Sequence, residues 1–288
     1  MKGILLAGGT GSRLLPTTRG VSKQLLTVYD KPMIYYSLSI LMLSDITEIA
    51  VITTIEGAAS YRELLGDGSS FGLKIVYVVQ DKPNGIAESL ILCEEFIGAD
   101  SVCLMLGDNL FWGHGLSPVL IEAAKINKGA FVFAKEVSDP SEFGVVNFDS
   151  NGLATSIEEK PMKPKSNYAV TGLYFYDNTV VSRAKLLEKS GRGELEITDI
   201  NIQYVEEKTM HVELLGRGFA WLDTGNPNAL LDASNFIRSI QSQHNYIVAC
   251  LEEIAYKKKW IGVDQLKASA RAHGKTRYGA YLSKLAES

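Results

Sequence analysis

Cysteine is scarce. The chain has three, Cys93, Cys103 and Cys250, among 288 residues. None has CxxC or comparable metal-ligand spacing, and two lie inside the apolar runs LILCEEF and SVCLML. This excludes a disulfide framework and a cysteine-built zinc site, and points to reduced, buried thiols in a cytoplasmic protein. A basic surplus is also missing. Lys plus Arg number 29 against 33 Asp plus Glu, a formal net charge of −4. A general nucleic-acid binder is thereby excluded, because binding a phosphate backbone rests on excess positive charge. Long apolar runs are absent too. The richest, Met33 to Leu43, is interrupted by Ser37 and Ser39 and is too short to cross a bilayer. The opening MKGILLAGG has too short an apolar run for a secretory signal. The reading is a soluble, cytoplasmic chain with no membrane partner.

What remains is an ordinary globular composition, and the length alone suggests about two domains. The first half alternates strand and helix patterns: strands at Lys2 to Leu6, Glu48 to Thr53, Lys74 to Val79, Val102 to Leu106 and Ala130 to Ala134. Between them, helices are expected at Ile34 to Leu43, Tyr61 to Leu65 and Leu116 to Lys128, and Ile86, Leu90, Cys93 and Ile97 fall at helical spacing. This repetition predicts an α/β fold, a parallel sheet with helices on both faces. In the second half, Asp149-Ser150-Asn151-Gly152 marks a hairpin between Val145 to Phe148 and Leu153 to Glu158. A strand at Val170 to Tyr176 follows, then a helix with Thr198 as its N-cap. Short strands at Val212 to Leu215 and Phe219 to Leu222 precede a helix from Pro227 to about Gln243. Beyond Asn245 the pattern is helical to the end, a small appendage.

Five segments carry chemistry. Ala7-Gly8-Gly9-Thr10-Gly11-Ser12-Arg13 follows the first strand, where ligands bind in open α/β sheets. Its glycines let backbone amides approach a phosphate, and Arg13 adds a cationic fork. No Gly-Lys-Ser/Thr follows, so this is not a P-loop; the third glycine of the dinucleotide fingerprint is replaced by Leu14, which disfavours a dehydrogenase. Lys23 lies ten residues past Arg13 and can return to the same phosphates. Asp108 in LGDN ends a very apolar strand, a hard oxygen ligand suited to Mg²⁺ on a polyphosphate, although Asp-Asn is also a common turn pair. Lys160 precedes Pro161, which predicts an extended backbone and an aimed ammonium. Asp223 in WLDTG supplies a second carboxylate, and Asp108 and Asp223 could share one cation.

Taken together, GGTGSR, VSKQLLTVYDKPMIYY, LGDNLFWGHG, EEKPMKPKSNYAVTGLYFYDN, RGELEITDI and GRGFAWLDTG resemble the glucose-1-phosphate thymidylyltransferases along essentially the whole chain. The resemblance implies the nucleotide-diphospho-sugar transferase fold, a Rossmann-like, mixed but mainly parallel sheet. It implies a catalytic unit at residues 1–243, with a nucleotide part near 1–128 and a sugar part near 129–243, and a helical appendage at 244–288. It implies that dTTP and α-D-glucose 1-phosphate give dTDP-α-D-glucose and pyrophosphate, with Mg²⁺ as cofactor and dTDP-sugar biosynthesis as the context. Arg13, Lys23, Asp108, Lys160 and Asp223 would be catalytic, the two aspartates holding the metal. The nucleotide would meet Leu6, Gly8, Gly9, Thr10, Gly11, Ser12, Arg13, Lys23, Gln24, Gln80, Pro83, Gly85 and Asp108, with Gln24, Gln80 and Gly85 at the thymine. The sugar phosphate would meet Asn109, Gly144, Glu159, Lys160, Val170, Tyr174 and Trp221. A homotetramer and feedback by dTDP-rhamnose at a second site near Gly115 and Glu253 are also implied. Departures from the usual pattern include Ser12 for Thr, Asn84 for Asp and Phe143 for Tyr; none removes a phosphate or metal ligand. UTP or another sugar 1-phosphate as substrate, and a non-catalytic nucleotide-sugar sensor, stand as alternatives.

Overall fold

The computed structural model describes residues 1–9 and 11–287. Its first half follows the aliphatic runs closely. Strand β1 (Lys2–Leu6) leads through a Gly-rich loop and two short pairing strands, β2 (Thr27–Val28) and β3 (Lys31–Pro32), to helix α1 (Met33–Leu43). Then come β4 (Glu48–Thr53), α2 (Ala58–Leu65), β5 (Lys74–Val79), the short helices α3 (Glu88–Leu92) and α4 (Glu94–Ile97), and β6 (Val102–Leu106). β1 pairs in parallel with both β4 and β6, and β4 with β5. Ile4, Leu5, Ile49 to Ile52 and Val102 to Met105 are buried, the unbroken apolar pattern of strands covered on both faces. Helix α1 is buried from Met33 to Met42, serines included. Ser37 donates to the Asn109 carbonyl at 3.1 Å and Ser39 to the Tyr36 carbonyl at 2.6 Å. Those bonds let two hydroxyls sit in the core without an unmatched polar atom.

The second half adds β7 (Asn109–Gly113), α5 (Leu116–Ala123), β8 (Ala130–Glu136), β9 (Gly144–Phe148), β10 (Ala154–Glu159) and β11 (Tyr168–Tyr176). It continues with α6 (Val180–Lys185), α7 (Ile197–Glu206), β12 (Met210–Leu215), β13 (Phe219–Asp223) and α8 (Pro227–Gln243). Helices α9 (Leu251–Lys257), α10 (Val263–His273) and α11 (Arg277–Glu287) close the described chain. The main sheet runs β10-β9-β11-β6-β1-β4-β5, with β8 also on β11 and β12 on β8. β11 joins β6 antiparallel, so the sheet is mixed. Alternate residues of the same strands feed two cores: Leu5, Cys103, Met105 and Phe175 on one face, Ile4, Leu104, Tyr174 and Tyr176 on the other. The α/β class with helices on both faces is therefore the observed one. The three cysteines are buried and unpaired. Leu251 and Ala255 of α9 join the main core, whereas Leu266, Ala270 and Leu282 of α10 and α11 pack in a cluster of their own.

Local departures from the periodicity have local causes. Helix α5 stops at Ala123 rather than Lys128, because the next amides, Lys125 and Ile126, bond only three residues back, a tightened last turn. The 86–97 stretch is two short helices that meet at Cys93. Thr198 is not a cap: the α7 N-cap is Glu196, and Thr198 lies inside the first turn with its hydroxyl given to Glu159. Asn109 begins a strand, β7, rather than finishing a turn. It pairs antiparallel with β13 in a two-stranded ribbon. At the start of α8, Pro227 lies in the first turn, as expected, and Asn226 caps the helix by accepting from Ala229 N at 3.0 Å.

Candidate active site

The glycine loop leaves the carboxyl end of β1, where Ala7 N donates to the Ile52 carbonyl and Gly107 N to that of Leu6. The ends of β4, β1 and β6 are thereby tied into one rim. Thr10 lies outside the described residues. Gly9 and Gly11 take φ of 138° and 57°, which favour glycine. A Cβ on Gly11 would also stand 2.8 Å from Thr18 Cγ2 and 3.3 Å from Lys23 Cβ. Lys23 thus adjoins the loop, as its spacing from Arg13 suggested. It sits in a 3₁₀ turn, Lys23–Leu25. Only 8% of it is exposed, and its ammonium lies 2.5 Å from Asp108 Oδ2. A buried lysine needs such a partner. Arg13, well exposed, follows Gly11 and Ser12, with Glu142 at 3.7 Å.

The β7–β13 ribbon brings the two aspartates together. Asp223 stands opposite Asn109 in register. Thr224 locks the corner, its amide and hydroxyl both donating to the Asp108 carbonyl, at 3.0 and 2.8 Å. Burial, then the negative charge of Asp108, raises the Asp223 carboxyl above the usual range, while Lys23, Arg13 and Lys160 pull it down. Three cations and two carboxylates therefore converge on one place. Asn109 organises that place. Its Oδ1 accepts from Trp221 Nε1 at 2.6 Å and from Gly172 N at 3.1 Å, and its Nδ2 donates to Asp108 Oδ1 at 3.0 Å.

Among the residues expected at the nucleotide, Leu6 ends β1, and Gln24 and Gln80 are buried side chains beside the loop. Gln80 Oε1 lies 3.3 Å from where a Cβ on Gly8 would stand. Pro83 is exposed on the following loop. Gly85, at φ 108°, is pressed on the segment before α7: a Cβ there would meet the Leu195 carbonyl oxygen at 2.3 Å. Leu195 N donates to the Asn84 carbonyl and Ala87 N to that of Leu195.

The residues expected at the sugar phosphate line a polar cavity of about 210 Å³ together with Arg13, Asp108 and Asp223. Lys160 borders it but is not extended. Its φ is 43°, because its amide adds a last rung to the β9–β10 hairpin, donating to the Phe143 carbonyl, just before Pro161 turns the chain away. The proline disfavours the right-handed helical region; positive φ avoids that region too, but at a steric cost that an extended backbone would not carry. Glu159 accepts from Thr198 Oγ1 at 2.5 Å and from Arg192 Nη2 at 3.1 Å, and Arg192 also grips Glu196 at 2.7 Å. Gly144 lies against this group: a Cβ would be 3.3 Å from Thr198 Oγ1. Val170 and Tyr174 also line the cavity, and Trp221 meets Phe143 edge to face at 5.0 Å. Arg192 and Glu196 carry no role in the sequence reading and Thr198 only that of a helix cap, although RGELEITDI holds all three; only folding shows that the motif faces Glu159.

The fold and this site define a nucleotidyl transferase. The nucleotidyl transferase family profile matches residues 2–240. Glucose-1-phosphate thymidylyltransferase from Neisseria meningitidis is 56% identical over 99% of both chains. That from Mycobacterium tuberculosis is 51% identical over 100% of this chain and 99% of its own. A Bacillus anthracis protein assigned to the same activity, crystallised with sucrose, superposes with a TM-score of 0.77 at 44% identity, covering 83% of this chain and 95% of that one. A UDP-glucose pyrophosphorylase bound to UDP-glucose shares the fold, with TM-score 0.73 at 22% identity over 84% and 99% of the two chains. The chain belongs to the glucose-1-phosphate thymidylyltransferases, a group within the nucleotidyl transferases.

Proposed function

We infer that the protein joins dTTP to α-D-glucose 1-phosphate, forming dTDP-α-D-glucose and releasing pyrophosphate. The observation that carries this is the meeting of Arg13, Lys23 and Lys160 with Asp108 and Asp223 at the mouth of the sugar cavity. Two anionic substrates repel each other, and three cations offset that repulsion. The sugar phosphate oxygen attacks the α-phosphorus in line and pyrophosphate leaves, so positioning and charge stabilisation suffice. Nothing in the sequence supplies a nucleophile-and-base pair, and no covalent intermediate is needed. Arg13 and the loop amides hold the leaving phosphates, Lys23 the α-phosphate, and Lys160 the attacking phosphate.

Mg²⁺ fits the donor set. Among the described residues no cluster of three or more metal-ligating side chains occurs, yet two carboxylates crowd closely enough for one to raise the other. Magnesium takes one or two carboxylates and completes its shell with phosphate oxygens and water. Asp108 and Asp223 would hold it, and it would supply charge neutralisation at the phosphates. Asp108 would then exchange its ion pair with Lys23 for the metal and free the ammonium for phosphate.

A homotetramer, and feedback by dTDP-rhamnose, extend the reading. A second cleft of about 580 Å³, bordered by Trp112, Gly115, Tyr246 and Glu253, supports the feedback site. Inhibition that competing glucose 1-phosphate does not relieve is the expected sign. No described helix is long and apolar enough to cross a membrane. The test of the reaction is direct. With dTTP, glucose 1-phosphate and Mg²⁺, pyrophosphate and dTDP-glucose should appear together. No release above a protein-free control would overturn the assignment, and faster turnover with UTP would move it to a uridylyltransferase.

A further inference from the structure

Glu88 closes a chain of hydrogen bonds on the nucleotide side. Its carboxylate accepts from Gln80 Nε2 at 2.6 Å and from Asn84 Nδ2 at 2.8 Å. Asn84 Oδ1 in turn accepts from Lys189 Nζ at 3.1 Å. A carboxylate only accepts and an ammonium only donates, whereas an amide can turn either way. The two ends therefore orient both amides between them. If Gln80 rotated by half a turn, its carbonyl would face the Glu88 carboxylate, acceptor against acceptor. With its NH₂ given to Glu88, Gln80 holds Oε1 toward Gly8, beside the glycine loop. Gln80 is 6% exposed, so little water is available to stand in for a lost partner.

We propose that Glu88 is a positioning residue for base selection, holding the Gln80 carbonyl toward the nucleotide so that the cleft prefers a pyrimidine with a ring N–H over one with a bare ring nitrogen. Thymine and uracil carry a hydrogen on N3 and donate it to such a carbonyl. Cytosine presents an unprotonated N3, an acceptor against an acceptor. The proposal rests on the reading that Gln80 meets the base. Position 84 takes part as well: an Asp there would set a second carboxylate against Glu88, whereas Asn84 lets one charge orient the whole chain.

The logic makes an unusual demand on variants. In Glu88→Gln, Lys189 still holds the Asn84 carbonyl, so the Asn84 NH₂ draws the new carbonyl and the new NH₂ faces Gln80. Gln80 then turns its own NH₂ to the base. In the double variant Asn84→Asp with Glu88→Gln, the acceptor-only end moves to position 84. The amide at 88 donates to it, accepts from Gln80, and the original orientation returns. The experiment is kcat/KM for dTTP, UTP and CTP at saturating glucose 1-phosphate in the wild type, E88Q, the double variant and Q80A, on the full-length protein. In E88Q the dTTP-to-CTP ratio should fall about tenfold, the upper end for one neutral hydrogen bond, with most of the change in KM. The double variant should recover most of it. An unchanged ratio in E88Q, or no recovery in the double variant, overturns the role of Glu88. If Q80A raises KM for dTTP in that case, only the positioning fails; if Q80A leaves it unchanged, the placement of the base beside Gln80 fails as well.

Discussion

The two sides of the cleft are held by different means. Around the glycine loop, where the nucleotide is proposed to lie, the backbone sets most of the shape: glycines at positive φ, strand ends tied by Ala7 and Gly107 amides, and the Asn84–Ala87 turn bonded to Leu195, with side chains entering through the Gln80–Glu88–Asn84 chain. Around Glu159, where the sugar phosphate is proposed to lie, a lattice of side chains does so, with Glu159 held by Thr198 and Arg192, and Arg192 held by Glu196. Between them lie the two aspartates, fixed by the β7–β13 ribbon. The contrast suits the ligands. A polyphosphate is recognised by repeated amides that any sequence can offer where glycine opens the chain. A sugar needs individually placed side chains. Substitutions should therefore act on one substrate or the other, except at the seam.

The largest effect is expected at that seam. Asp108→Asn or Asp223→Asn should lower turnover by about a hundredfold to ten-thousandfold, since each 1.36 kcal/mol of barrier is tenfold in rate. Pyrophosphate release at saturating substrates and Mg²⁺ measures this; unchanged turnover in both would remove the shared cation. Next comes Gly85→Ala, which combines a strained φ with a contact on the Leu195 carbonyl. It should raise KM for dTTP about tenfold or more, with a smaller change for the sugar phosphate. Lys160→Ala should raise KM for glucose 1-phosphate about tenfold, the scale of a lost charged hydrogen bond, and leave dTTP less affected. Smallest is Thr198→Val, which frees one oxygen of Glu159 while Arg192 keeps the other. A threefold rise in KM for the sugar phosphate, about 0.7 kcal/mol, is expected, and no change for dTTP.

Much of the nucleotide side was legible before folding. β1, β4 and β6 have the bounds that their aliphatic runs mark, because a parallel strand covered on both faces is written as one uninterrupted stretch, and the edge strand β5 follows its β-branched run. The glycine loop, Lys23 and Asp108 lie at the ends of those strands, where the fold class places a ligand. The sugar side was less legible. Whether Lys160 is extended or left-handed depends on a rung of the hairpin that Pro161 alone does not specify. Thr198 reads as a cap from its neighbours in sequence, but its hydroxyl serves Glu159, which lies on a different strand. β7 was hidden because Asp108-Asn109 reads as a turn until β13 is beside it. Glu88 stayed hidden for the same reason: its value lies in which atoms of Gln80 and Asn84 it touches.

The most direct test of a divided cleft sets Gly85→Ala and Lys160→Ala side by side, each with KM measured for dTTP and for glucose 1-phosphate. The division predicts opposite patterns: the first variant moves mainly the dTTP value, the second mainly that of the sugar phosphate. Equal shifts for both substrates in both variants would contradict it and describe one undivided site.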